Sequence, residues 1–360
     1  MGEAPSTVVV CGRGLGGRAG NPWWIRAAAA GPTRKATMRT TARNVRRLLV
    51  LALTACVLTG CGTASSPRTP PGAVRVDNCG RTVTIEEPPQ RVVSLNQHAT
   101  EILLAIGLGD RLVGTAFPDD HAPPEPVAAE YAKVPLLAEK YPSVERILAA
   151  KPDLVIGGYA SAFNEAEGRG RASLEAKGID TLLLSEACTE SPVGMRTLLD
   201  DIAMFGKVLG LRDGAAELAA DVEDRVQAVE QRLSGVRPVD VFVYDSGEKT
   251  PLTLGGHGIG NDVLTRAGAR NVFADVTDNF ATVSWEQVAA RAPEAIVLVD
   301  YLSGGGSVRD KRAFLEQHPL ASQTPAVRHD RYITLDLVQL IEGIRFPGAV
   351  EQLARELHGV

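Results

Sequence analysis

The sequence predicts an α/β protein of two lobes with mainly parallel sheets, joined by a long rigid connecting helix. Three observations carry this. From about residue 75, short apolar runs alternate with helical patterns, the mark of βαβ units. The alternation stops between Ser191 and Leu233 and then resumes. A helix-to-strand pattern in the first stretch also returns in the second.

In the first lobe, 75–190, strands are expected at Arg91–Leu95, Leu112–Ala116, Leu154–Gly158 and Thr181–Ser185, each a short aliphatic or β-branched run. Helices fall near 99–107, 143–151 and 165–178. The segment 191–237 carries Leu198, Ile202, Phe205, Val208 and Leu209, then Leu218, Val222, Val226, Val229 and Leu233, at three- and four-residue steps. That spacing predicts the connecting helix, with Gly210 and Gly214 as candidate break points. In the second lobe, 238–360, strands at Val239–Tyr244, Asn271–Ala274, Ala295–Val299 and Tyr332–Leu335 alternate with helices near 260–268, 284–291, 308–317 and 347–358.

The echo lies at Ser143-Val144-Glu145 and Ser284-Trp285-Glu286. Each opens a short helix with a Ser N-cap and an acid two residues on, and each leads through Pro-acid (Pro152-Asp153, Pro293-Glu294) into an apolar strand. Ser and Pro are nine apart in both. Capping and dipole complementarity, about 0.3–1 kcal/mol for such an acid, explain either copy singly but not their match.

Composition sets the class. The chain has 360 residues, 44% hydrophobic and 22% charged, enough for one large or two ordinary cores. Residues 1–60 hold nine Lys/Arg and one acid, leaving 29 basic against 42 acidic residues in 61–360, a net of −13. So acidic a body repels phosphate backbones, which excludes nucleic acid as a partner. The uncharged run Leu48–Gly60 follows Arg39, Arg43, Arg46 and Arg47. It is short for a hydrocarbon span of ~30 Å and has the flanks of an export signal. Met38 precedes the basic cluster and is an alternative start to Met1. The literal dinucleotide fingerprint Gly12-Arg13-Gly14-Leu15-Gly16-Gly17 is rejected, because Pro22 follows and no acid occurs from 4 to 76.

Leu58-Thr59-Gly60-Cys61 resembles a bacterial lipoprotein cleavage box, which makes 1–60 a leader, Cys61 the lipidated first residue and 61–74 a Ser/Thr/Pro/Gly tether. Of five cysteines, Cys11 and Cys56 then fall in removed sequence. Cys79 and Cys188 remain, in a compartment that permits a disulfide; two unrelated thiols are the alternative.

The order and spacing of several pieces resemble a known family. These are Pro89-Gln90-Arg91-Val92-Val93-Ser94-Leu95 with Ala99-Thr100-Glu101, Leu112-Val113-Gly114, both Ser-x-Glu segments, and Ala267-Gly268-Ala269-Arg270-Asn271-Val272-Phe273. From about Val74 to His358 the chain is similar to the solute-binding proteins of bacterial ABC importers that handle iron–siderophores, haem and cobalamin. The resemblance implies two Rossmann-like lobes and an extracytoplasmic, lipid-anchored monomer. Its partners would be an ABC permease dimer with cytoplasmic ATPase subunits, and its small-molecule ligand a metal chelate, most readily an iron–siderophore. No cofactor and no protein-held metal are implied. One acid per lobe docks on the permease in that family; by position these are Glu145 and Glu286.

Ligands of open α/β sheets sit at loops beyond strand C-termini. Those loops offer Asn96, Gln97, His98, Phe117 and Tyr159 in the first lobe. In the second they offer Asp245, Tyr301 and Arg345, with Phe280 where the family often places a cleft aromatic. Each aromatic equally fits a core role, and Arg345 a surface ion pair. Enzyme motifs (His-Glu-x-x-His, Gly-x-Ser-x-Gly, a phosphate loop) are absent from the sequence, and the pairs Asp119-Asp120 and Asp200-Asp201 read as loop and helix surface. The alternatives are a two-lobed α/β enzyme or metallocofactor-handling protein, and a zinc or manganese importer component.

Overall fold

The computed structural model describes residues 72–119, 122–301 and 306–360. The expected leader, the tether up to residue 71, Cys61 and Asp120 lie outside the described residues.

The described chain opens with an antiparallel hairpin that the sequence pattern did not reveal, β1 (Val74–Asn78) and β2 (Arg81–Ile85). Cys79 and Gly80 make its two-residue turn, with φ of 54° and 72°. Positive φ at both positions matches the twist of a tight hairpin. Then follow β3 (Val92–Ser94), α1 (Gln97–Ala105), β4 (Leu112–Ala116), α2 (Glu125–Tyr131), β5 (Leu136–Ala138), α3 (Val144–Ala149), β6 (Leu154–Gly157), α4 (Arg171–Glu175) and β7 (Asp180–Leu183). The strands form one parallel sheet in the order β5-β4-β3-β6-β7. Every residue of β3 and β6 is buried, as expected for strands covered on both faces. The helix expected at 165–178 is broken. Gly168 takes φ 69°, which leaves a 3-10 turn at Glu165–Glu167 before the short α4.

The single connecting helix expected over 191–237 is two helices, α5 (Met195–Leu209) and α6 (Arg212–Arg232). Gly210 ends α5 in the left-handed conformation, φ 69°, where glycine carries no steric penalty. Gly214 lies inside α6 for a different reason: a Cβ there would stand 2.4 Å from the carbonyl oxygen of Ile106. The end of α1 thus packs on bare helix backbone. α6 crosses between the lobes, its 21 residues covering about 30 Å, and α5 also touches both, Met195 N donating to Asp262 Oδ2 at 2.7 Å at one end and Leu209 O accepting from Arg111 at the other. Val222, Val226 and Val229 are fully buried along it, and Arg225 binds Glu351 of the second lobe through two bonds of 2.8 Å.

The second lobe contains β8 (Val239–Tyr244), β9 (Leu252–Leu254), α7 (Ile259–Arg266), β10 (Ala269–Asn271), β11 (Phe280–Thr282), α8 (Trp285–Arg291), β12 (Ala295–Asp300), α9 (Val308–Gln317), α10 (Pro325–Arg328), β13 (Tyr332–Asp336) and α11 (Phe346–His358). Its parallel sheet has the order β10-β8-β12-β13, and β9 pairs with β11 as a separate antiparallel arm. The strand expected at Asn271–Ala274 lies two residues earlier. The Asn271 side chain accepts from Phe273 N at 2.9 Å and turns the chain out of the sheet there.

The echo in the sequence is an echo in topology. The orders β4-β3-β6-β7 and β10-β8-β12-β13 match strand for strand, with the second strand outside the first and the third on its other side. Each lobe therefore has a switch point between its first and third strands, where a crevice opens beyond the strand ends.

Candidate functional site

Both switch points open onto one cavity of about 640 Å³. From the first lobe come Phe117, Pro118, Asp119 and Tyr159; from the second come Asp245, Leu252, Phe280, Tyr301, Leu337 and Ile341; Glu139 and Lys140 stand exposed at the rim. Of the nine residues expected to touch ligand, five line this space: Phe117, Tyr159, Asp245, Phe280 and Tyr301. Asn96, Gln97, His98 and Arg345 are not among its lining residues.

Those four lie behind the wall and hold it. Asn96, fully buried at the start of α1, accepts from Gly158 N at 2.8 Å and Tyr159 N at 3.3 Å, and donates to the Tyr141 hydroxyl at 3.2 Å. It thereby fixes the loop after β6 that presents Tyr159. Gln97 donates to Glu101 at 3.0 Å and accepts from Asp119 N at 2.8 Å, which sets the loop after β4. His98 lies under Tyr159, ring centroids 4.6 Å apart. A Cβ on residue 158 would meet His98 Nε2 at 2.0 Å, so only glycine lets the backbone cross the imidazole. Arg345 donates to both Glu101 oxygens, at 3.0 and 2.6 Å, and to Ala122 O at 2.7 Å. The residue expected to clamp a ligand instead ties the second lobe to a carboxylate of the first.

The lining side chains are set by local structure. Phe117 has φ 52°, unusual for an aromatic residue, and stacks on Tyr141 with centroids 4.7 Å apart. Tyr301 follows β12, and its hydroxyl donates to Asp245, which follows β8. Ser246 Oγ donates to the same carboxylate at 2.8 Å. Phe280 is carried by the β9–β11 arm, opposite Leu254. Burial, and secondarily neighbouring carboxylates, push the Tyr159 and Tyr301 phenols up, so both keep their protons, and Tyr301 donates its own to Asp245. Among the described residues no group of three or more His, Cys, Asp or Glu converges to hold a metal ion, and no helix is long and apolar enough to cross a membrane.

Residues 92–337 match the family model of the periplasmic binding proteins. The chain belongs to that family. It is 27% identical to an uncharacterized ABC transporter substrate-binding lipoprotein, YvrC, of Bacillus subtilis (strain 168), over 86% of this chain and 95% of the relative. It is 30% identical to a vitamin B12-binding protein of Vibrio cholerae over 61% of this chain and 74% of that one. The crystal structure of an ABC-type Fe3+-hydroxamate transport system protein from Saccharomonospora viridis superposes with a TM-score of 0.67 at 25% identity, covering 79% of this chain and 99% of the other.

Periplasmic binding proteins bind ligand and are not enzymes, so the enzyme alternative falls away. In this periplasmic binding protein the echoed acids occupy equivalent places. Glu145 and Glu286 are exposed in the first turns of α3 and α8, capped by Ser143 (Oγ accepting from Arg146 N, 3.4 Å) and Ser284 (accepting from Gln287 N, 3.3 Å). Both carboxyls lie below their usual range, Glu145 chiefly through the Ser143 hydroxyl and Glu286 chiefly through its own backbone N–H. Cys79 and Cys188 are disulfide-bonded. Sequence reasoning missed Asp119, which it read only as half of a loop acid pair, and Leu252, Leu337 and Ile341. Nothing local marks these last three, since their place in the cavity comes from the packing of the arm and of the loop after β13.

Proposed function

We propose that this chain is the extracytoplasmic substrate-binding lipoprotein of an ABC importer, which captures a metal chelate between its lobes and delivers it to the permease. The observation that carries the reading is the aromatic-lined cavity at two topologically repeated switch points, with Phe117 and Tyr159 facing Phe280 and Tyr301. The names of the relatives, an ABC lipoprotein, a vitamin B12-binding protein and an Fe3+-hydroxamate transport protein, support the ligand class. An iron–siderophore is the favoured ligand, with cobalamin and haem next. Asn96, Gln97, His98 and Arg345 act by positioning the walls. Glu145 and Glu286 dock on the permease dimer, where such rim charges set orientation and association rate. Cys61 carries the lipid, and the mature protein works as a monomer.

Native mass spectrometry of protein purified from its own host should find a retained ligand with the mass and isotope pattern of a metal chelate. A ligand-free protein that also fails to bind iron–siderophores, cobalamin and haem in calorimetry would sink the proposal.

A further inference from the structure

The charges around the cavity are unbalanced. Arg345 is committed to Glu101 and Ala122 O and does not line the space. At the rim, exposed Glu139 and Lys140 offset each other. Behind Tyr301, Lys311 donates to Val299 O at 2.5 Å and lies 4.9 Å from the Tyr301 ring, with Asp245 and then Asp300 as its nearby counter-charges. One carboxylate is left facing the ligand space, Asp119, with its side chain 6% exposed; Asp245 on the opposite wall, 2% exposed, has Lys311 as its counter-charge.

Hydrogen bonding separates the two: Asp245 accepts from Tyr301 Oη and Ser246 Oγ, whereas Asp119 is not fully satisfied. Asp119 Oδ2 is buried without a partner, and its nearest cationic candidate, His98 Nδ1, stands 3.6 Å away, beyond a hydrogen bond. The Tyr159 hydroxyl is likewise buried and unpartnered. The unmet Asp119 oxygen wants a donor, the Tyr159 hydroxyl can serve as donor or acceptor, and low-dielectric surroundings enlarge the charge preference.

Resting on the chelate-binding reading above, we propose that the cleft selects neutral or cationic chelates bearing hydrogen-bond donors and rejects polyanionic ones, with Asp119 imposing the selection. An ammonium or amide N–H of the ligand meets Asp119, and the apolar body of the chelate lies between the Phe117 and Phe280 sides.

Calorimetry on the full chain with ferrioxamine B (cationic), ferrichrome and cyanocobalamin (neutral), ferric enterobactin (trianionic) and haemin tests this. The tightest ligand should be neutral or cationic, binding at least tenfold more tightly than the trianion. Raising the ionic strength should shrink that gap, because screening weakens attraction and repulsion alike. Asp119→Asn should narrow it at least fivefold. The salt series on the parent chain stands on its own should that variant fail to fold. If an anionic chelate binds tightest, the charge inference is overturned while the chelate-binding reading survives. If no chelate binds, both are overturned.

Discussion

At the scale of single residues, burial decides what a charged side chain does. Arg345 carries the chemistry of an anion clamp, yet its partner is Glu101, fully buried in α1. A second case lies where the lobes meet. Glu342 N donates to Glu186 Oε2 at 2.8 Å, and Glu186 N donates to Glu342 Oε2 at 3.0 Å, while Asp201 accepts from Ser185 N and Oγ at 2.7 Å. Burial first, then repulsion from Asp201 and Glu186, raises the Glu342 carboxyl well above its usual range, and its Oε1 has no hydrogen-bond partner. A carboxyl that keeps its proton when folded and loses it when unfolded favours folding at low pH. That contribution is complete below the ordinary carboxylate pKa of about 4.3 and is lost as pH rises toward the raised folded value. Glu342→Gln retains the shape with no proton to lose. The variant should match the parent near pH 4 and exceed its stability by on the order of 1–3 kcal/mol at pH 7. Denaturant titrations at both pH values check this, and an advantage that shrinks with rising pH would count against it.

At the scale of elements, local signals set boundaries and distant partners set their use. Gly210 divides the strand-free segment because its left-handed backbone ends α5, whereas Gly214 stays helical because α1 needs the room. The β1–β2 hairpin is fastened to β7 twice over. Asn78 holds Leu183 N at 2.9 Å and Leu183 O at 2.8 Å, and the Cys79–Cys188 bond spans 109 residues beside it. A loop of that length corresponds to about 4–5 kcal/mol in the chain-entropy model. Because the Asn78 clamp and the buried Val83 and Ile85 survive bond loss, Cys79→Ser with Cys188→Ser should cost about 2–4 kcal/mol. Neither cysteine lines the cavity, so ligand affinity should hold. Chemical denaturation with parallel calorimetry reads both, and unchanged stability would remove the structural role of the bond.

At the scale of the whole molecule, the proposed docking acids and the cavity-lining residues are separate sets, Glu145 and Glu286 not being among the lining residues. Glu145→Arg with Glu286→Arg changes two exposed first-turn positions, so the fold should survive and ligand affinity should stay within about threefold, a change of ~0.6 kcal/mol. ATPase stimulation of the reconstituted transporter should fall far more, since like charges would then meet at the docking surface. Phe280→Ala should do the reverse, weakening ligand binding while the ligand-free protein still competes for the permease. Loss of ligand binding in a folded double charge-reversal variant would move the two acids into the cleft. Anchoring is tested separately: Cys61→Ala should shift the protein from the membrane fraction to the soluble one, and full membrane retention would disprove the lipid assignment. One acyl chain binds membranes only marginally, so more than one is expected on the parent.

Much of this protein was legible in the sequence by itself, because hydrophobic periodicity and capping are local. The Leu112–Ala116, Val239–Tyr244 and Val308–Gln317 elements stand where their patterns placed them, and the Ser-x-Glu echo announced two lobes of one topology. Aromatics at strand ends were legible as well, since a strand's C-terminus in an open α/β sheet points to the crevice. Tertiary structure alone decided the rest. The arm formed by β9 and β11 pairs segments more than twenty residues apart, too short and too polar in their neighbours to signal a strand. Whether Arg345 meets ligand or Glu101, and whether Asp119 is surface or wall, depends on which side chains from the opposite lobe remove water from them. That is a property of the packed molecule, and no local pattern encodes it.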